Sequence, residues 1–105
     1  MRGFLFRLVP PRPDFPSTMT DDERSTMVDH GAYWTRLAGE GSVLAFGPVA
    51  DPAGAYGIGI VLVEDVEAAE ALRDADPAVR SSHGFRTEIL PMLSLVTPDG
   101  RVDAV

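Results

Sequence analysis

A chain of 105 residues, 45% hydrophobic and 24% charged, has room for one domain with one core, and this composition excludes disordered, collagen-like and coiled-coil classes. Nine arginines against sixteen acids leave a net charge of −7, so the surface repels phosphate backbones and anionic membranes, and neither nucleic acid nor a membrane is an expected partner. There is no Cys, Lys, Asn or Gln, which removes disulfides, thiolate nucleophiles, Schiff bases and side-chain amide oxyanion donors.

Residues Gly3 to Val9 alternate, with Phe4, Phe6 and Leu8 on one side and Leu5, Arg7 and Val9 on the other, and predict a strand. Pro10 breaks this apolar run too early for a signal peptide or a membrane span, so a cytoplasmic setting is expected. The following PPRPDFP segment, Pro10 to Pro16, reads as a stiff extended loop, either a proline-rich ligand or a wall of the domain's own cleft. Thr20 and Glu23 form a capping box that opens a helix running to about Glu40, on which Met27, His30, Trp34 and Leu37 make one apolar stripe. Gly39 and Gly41 supply its stop signals.

Ser42 to Gly47 and Tyr56 to Glu64 read as two strands joined in a hairpin through the turn-rich PVADPAGA stretch. The run VEAAEALRDAD after Asp65 predicts a second helix of about three turns, ending near Asp76-Pro77. A short turn region leads to a last strand, Phe85 to Val96, in which Pro91 calls for an edge position or a bulge. Thr97 to Val105 read as a mobile tail of the single domain, residues 1–105. The order β-α-β-β-α-β implies an α+β, ferredoxin-like sandwich: a four-stranded antiparallel sheet with both helices on one face. Ile58 to Val63 is apolar on both alternating sets, so the outer face of the sheet also needs cover, and a homodimer with two sheets face to face is expected. The plainer alternative is a monomer in which Gly57 and Gly59 thin that outer face.

His30 is the leading chemical candidate, because an imidazole in an apolar stripe needs a partner or titrates in a poorly solvated site; the bland alternative is a core histidine bonded to a backbone carbonyl. Asp29 cannot be that partner, since neighbouring residues on a helix point about 100° apart. Asp74 and Asp76 close the second helix, and Asp76 before Pro77 has the pattern of an ordinary N-cap, a role that leaves one carboxylate oxygen free. Arg12, Arg80 and Arg86 could clamp a small carboxylate or be solvated surface; Arg12 is carried as a substrate-binding candidate. Trp34 is carried as pocket wall, and His83 as a loop residue. The two histidines lack metal-ligand spacing, so no metal is expected, and the GIG of Gly57–Gly59 lies inside a strand and is no dinucleotide loop.

The HGAYWTRL segment with His30, the AFGPVADPAG hairpin and the LRDADPAV turn together resemble the YCII-related domain family, over Met1 to about Leu95. The resemblance implies a dimeric α/β barrel of ferredoxin-like units, with an active site made of the histidine of the first helix and the aspartate of the DP motif, here His30 and Asp76. The chain departs from shorter members in its PPRPDFP segment and its TMT helix start, which bears on substrate selection. Such a pair acts as a general acid/base: Asp76 fixes the tautomer of His30 while the free ring nitrogen moves a proton. The function expected is a cofactor-independent, lyase- or isomerase-like enzyme acting on a small anionic or aromatic metabolite. The alternative is a non-catalytic dimerisation or ligand-binding module. A cofactor-free oxygenase of related barrel type is disfavoured, because several such sites rely on an Asn and this chain has none.

Overall fold

The alternating amino-terminal run forms strand β1 (Arg2–Val9), with Phe4, Phe6 and Leu8 buried on one side and Leu5 and Arg7 on the other. Pro10 ends it. The proline-rich stretch is not extended throughout, as its composition had suggested: it turns, and Phe15–Thr18 closes one helical turn, α1, with Pro16 in its first positions. Proline lacks only an N–H that the first turn of a helix leaves unpaired, so proline there favours the helix it would break elsewhere. Helix α2 (Asp21–Glu40) opens on the expected capping box, the Glu23 N–H donating to Thr20 Oγ1 at 3.1 Å and the Thr20 N–H to Glu23 Oε1 at 2.8 Å. It ends at Gly41, whose φ of 89° is the left-handed conformation that glycine tolerates best.

Strands β2 (Val43–Val49) and β3 (Tyr56–Val63) form the expected hairpin, and α3 (Val66–Asp74) follows, capped by Asp65 accepting from the Ala68 N–H at 2.9 Å. A short helix α4 (Pro77–Arg80) precedes β4 (Arg86–Pro91). The single long strand expected over residues 85–96 is two strands: β4 ends at Pro91, the Met92 N–H makes one last bond to the Gly3 carbonyl at 2.9 Å, and β5 (Ser94–Thr97) leaves the sheet. β5 pairs with β6 (Gly100–Asp103) in a two-stranded ribbon, so the stretch from Thr97 read as a tail carries a return strand as far as Asp103. The computed structural model describes residues 1–103; the last two residues of the expected tail lie outside the described residues.

The main sheet has the order β2-β3-β1-β4, with every neighbouring pair antiparallel. This is the α+β, ferredoxin-like arrangement, and it makes β4 with Pro91 an edge strand, as the proline required. Phe4, Phe6, Val43, Val61 and Val63 of the sheet meet Tyr33, Trp34 and Leu37 of α2 and Ala69 of α3 in one buried cluster. A second cluster, Leu8, Phe15, Ala78 and Phe85, lies beside the short helices. The register settles which side of β3 its glycines occupy. Phe6 faces Gly59 and Leu8 faces Gly57, so both glycines lie on the helix-covered side and neither thins the outer face. That outer face carries Leu5, Ile58, Ile60, Leu62 and Leu90, while Leu95 of β5 packs over Gly3 at one end of it. No helix of the described residues is long and apolar enough to cross a membrane.

Candidate active site

Asp76 sits in the extended turn between α3 and α4, where Pro77 opens the next helix and cannot itself donate. Its Oδ1 accepts the Ala78 N–H at 2.9 Å, the cap expected from the DP sequence. Only 2% of Asp76 is exposed, and a buried carboxylate is tolerable only when its oxygens are met by donors. Two more come from α2. Trp34 Nε1–H donates to Oδ2 at 2.8 Å, and His30 Nδ1 stands 2.9 Å from Oδ1 and 3.0 Å from Oδ2. His30 and Trp34 are four residues apart, so the helix stacks them on one face with ring centroids 6.1 Å apart.

A carboxylate can only accept, so the His30 nitrogen facing it carries the hydrogen, and the neutral ring keeps a lone pair on Nε2. That nitrogen has no hydrogen-bond partner among the described residues, and the His30 side chain is 15% exposed. The ring borders an open cavity of about 370 Å³ between α2 and the inner face of the sheet. Phe6, Leu8, Phe15, Met19, Met27, Trp34, Phe46 and Phe85 wall it, with Gly31 and Gly57 contributing no side chain; His30, Asp76, Tyr56 and Thr87 are the polar members. A Cβ at Gly31 would meet nothing within 4 Å, so the hollow owes part of its volume to missing side chains.

The residues singled out in the sequence divide. His30, Asp76 and Trp34 come together, with Trp34 both walling the cavity and holding the acid. Arg12 does not join them. Its guanidinium donates to both oxygens of Glu23, at 2.9 and 2.7 Å, and to Thr18 Oγ1 and the Thr18 carbonyl, at 2.7 and 2.6 Å. It binds the proline-rich segment to the start of α2 and is not among the cavity's residues. Hydrogen bonds from Arg12 and from the Thr20 backbone hold the Glu23 carboxyl down to about 2. His83 Nε2 lies 3.1 Å from Thr26 Oγ1, joining the loop after α4 to α2. No group of three or more metal-ligating side chains is gathered among the described residues.

Sequence reasoning missed two relationships. Glu23 was legible as a capping residue but not as the partner of Arg12, and Trp34 as wall but not as a donor to Asp76. The four-residue step from His30 to Trp34 was the signal available for the second.

The fold and site define an α+β, ferredoxin-like domain whose helix-covered sheet holds a histidine–aspartate pair at the edge of an apolar hollow. The family model for the YCII-related domain matches residues 4–93, and the chain belongs to that family. No curated protein matches it.

Proposed function

We propose that the protein is a cofactor-independent acid/base enzyme acting on a small, largely apolar or aromatic metabolite. His30 is the base and Asp76 the residue that orients it. The observation that carries this reading is the 2.9 Å contact between Asp76 and His30 Nδ1, which leaves Nε2 without a partner among the described residues on a ring that borders the cavity. In such a site Nε2 takes a proton from a carbon or hydroxyl of the substrate and returns it at a neighbouring atom, a lyase- or isomerase-like step, while Asp76 stabilises the imidazolium that forms. The aromatic rather than the anionic side of the expected substrate range is favoured, because the hollow's walls are aromatic and aliphatic and no arginine among the described residues lines it.

The same reading includes a homodimer closed by the outer sheet faces, forming the barrel of the family resemblance. It is supported by the apolar residues Leu5, Ile58, Ile60, Leu62 and Leu90 on the face that the helices leave bare. Light scattering at micromolar concentration is expected to give twice the chain mass; the mass of one chain would remove the dimer. A cytoplasmic setting stays part of the proposal.

A non-catalytic binding module is the second reading. Asp76 also caps α4 and holds Trp34, so it has structural work whether or not His30 moves a proton. A thermal-shift screen of metabolites on wild type and His30→Ala separates the two. A ligand at 100 times its Kd adds about 2.7 kcal/mol of stability. A compound that stabilises both proteins but is turned over by wild type alone supports the enzyme. Equal behaviour of the two proteins, with no turnover by either, leaves the module.

A further inference from the structure

Gly59 lies in the middle of β3, where glycine weakens a strand relative to alanine and gives nothing to pack. Its backbone does not require glycine, because its φ is not positive; Gly41, Gly54, Gly84 and Gly100 are the glycines with positive φ. The reason for the residue is space. A Cβ at position 59 would stand 2.4 Å from Cζ3, 2.9 Å from Cη2 and 3.2 Å from Cε3 of Trp34, far inside van der Waals contact. The benzo ring of the indole therefore occupies the volume that any side chain at this position would need. Phe6 meets the ring edge-on at 5.5 Å and Phe46 lies 6.0 Å away, so the indole has little freedom to retreat sideways.

This seat fixes where the far side of the ring falls. With its six-membered ring against the β3 backbone, Trp34 brings Nε1 to 2.8 Å from Asp76 Oδ2, while the Ala78 N–H holds Oδ1 at 2.9 Å. One donor on each oxygen pins the carboxylate at both ends. Ala78 alone would hold one oxygen and let the other swing. A carboxylate pinned at both ends keeps both oxygens near His30 Nδ1, at 2.9 and 3.0 Å, and so keeps the hydrogen of the neutral imidazole on that nitrogen. We infer that Gly59 and Trp34 are positioning residues for His30: the bare backbone at Gly59 seats the indole, the indole N–H orients Asp76, and Asp76 fixes the tautomer that leaves Nε2 free toward the cavity. This rests on the reading of His30 as the functional base, but its test does not need a substrate.

The ring ¹⁵N signals of His30 in the free, full-length protein report which nitrogen carries the hydrogen. Wild type with the imidazole neutral is expected to give one tautomer, protonated on Nδ1. Trp34→Phe keeps an aromatic ring in the wall and removes the donor, and its His30 signals are expected to move toward the averaged mixture of free imidazole. Gly59→Ala is expected to do the same by displacing the indole. In the Trp34→Phe background, where the smaller ring leaves room for a methyl, Gly59→Ala is expected to add little further change. A variant that merely loosens packing lowers Tm without altering the tautomer. An unaltered His30 tautomer in Trp34→Phe overturns the inference, as does an equal effect of Gly59→Ala in both backgrounds. Should Gly59→Ala fail to fold, Trp34→Phe alone decides the role of the indole, and Gly59→Ala in the Trp34→Phe background decides the seat: a fold regained there supports it and a fold still lost overturns it. If His30→Ala proves fully active, the enzyme reading fails while the tautomer result stands.

Discussion

Two buried acids, Glu23 and Asp76, each sit at the start of a helix and each meet a cationic or potentially cationic partner, yet they are built for different ends. Glu23, 6% exposed, receives the Thr20 N–H of its own capping box and both arms of Arg12, a partner that never releases its proton. The result is a clamp between the proline-rich segment and α2. Asp76, 2% exposed, receives a backbone N–H and an indole N–H, and its third partner is a histidine, whose ring can both give and take a proton and has a second nitrogen to offer. Both sites satisfy the electrostatics of burial. Only the second leaves a group able to move a proton beside a hollow large enough for a ligand.

The contrast is tested most severely by removing Asp76. Asp76→Ala leaves the His30, Trp34 and Ala78 donors without an acceptor, and denaturant titration is expected to record a loss of about 3–5 kcal/mol together with loss of any activity. A loss under about 1 kcal/mol would mean the three contacts do not act as a unit. His30→Ala is expected to lower turnover by about 10²–10⁴-fold while costing no more than about 1–2 kcal/mol of stability, since Asp76 keeps two donors. Turnover undiminished in that variant would erase the distinction between the two acids.

Glu23→Gln is expected to lower Tm at neutral pH and leave turnover and the His30 tautomer alone. Its pH dependence has a definite sign. The Glu23 carboxyl titrates at about 2 in the folded protein, below its ordinary value of 4.5, so its stabilisation is fully present above about pH 4.5 and is lost as pH falls toward 2. Melting curves of wild type and variant are therefore expected to converge through that window. A gap that persists to pH 2 would show that the clamp does not depend on the ionised carboxyl. The smallest effect sharpens the role of the hollow. Gly31→Ala meets no neighbour within 4 Å and improves helix propensity by up to about 1 kcal/mol, so stability is expected to rise while affinity for a cavity ligand falls. Unchanged affinity would place the ligand away from this wall.

Much of the local structure was legible because it depends on neighbours in the chain. The Thr20–Glu23 box, the Asp76-Pro77 cap and the stripe carrying His30 and Trp34 are properties of short windows. The partnership of His30 with Asp76 was anticipated through the family resemblance and not through spacing, since nothing local links residues 30 and 76. The side of β3 on which its glycines fall was not legible at all. A strand apolar on both alternating sets has no parity to read, and pairing of Phe6 with Gly59 decided it. Arg12 was misplaced for a similar reason: a flexible cation on a proline-rich loop is free to reach a cleft or a neighbouring carboxylate, and the turn at Phe15–Thr18 brought Glu23 within its range.

The amino-acid order by itself determined where helices start and stop, which residues are too apolar for water, and that His30 and Trp34 share one helix face while Asp76 caps the turn at Pro77. Only the tertiary structure decided that these three meet at one carboxylate, that a missing side chain on β3 makes room for the indole, and that the space beside them stays hollow. Caps and stripes are set by interactions within a turn or two. Meetings across the chain depend on strand register and helix docking, which the whole core must settle together.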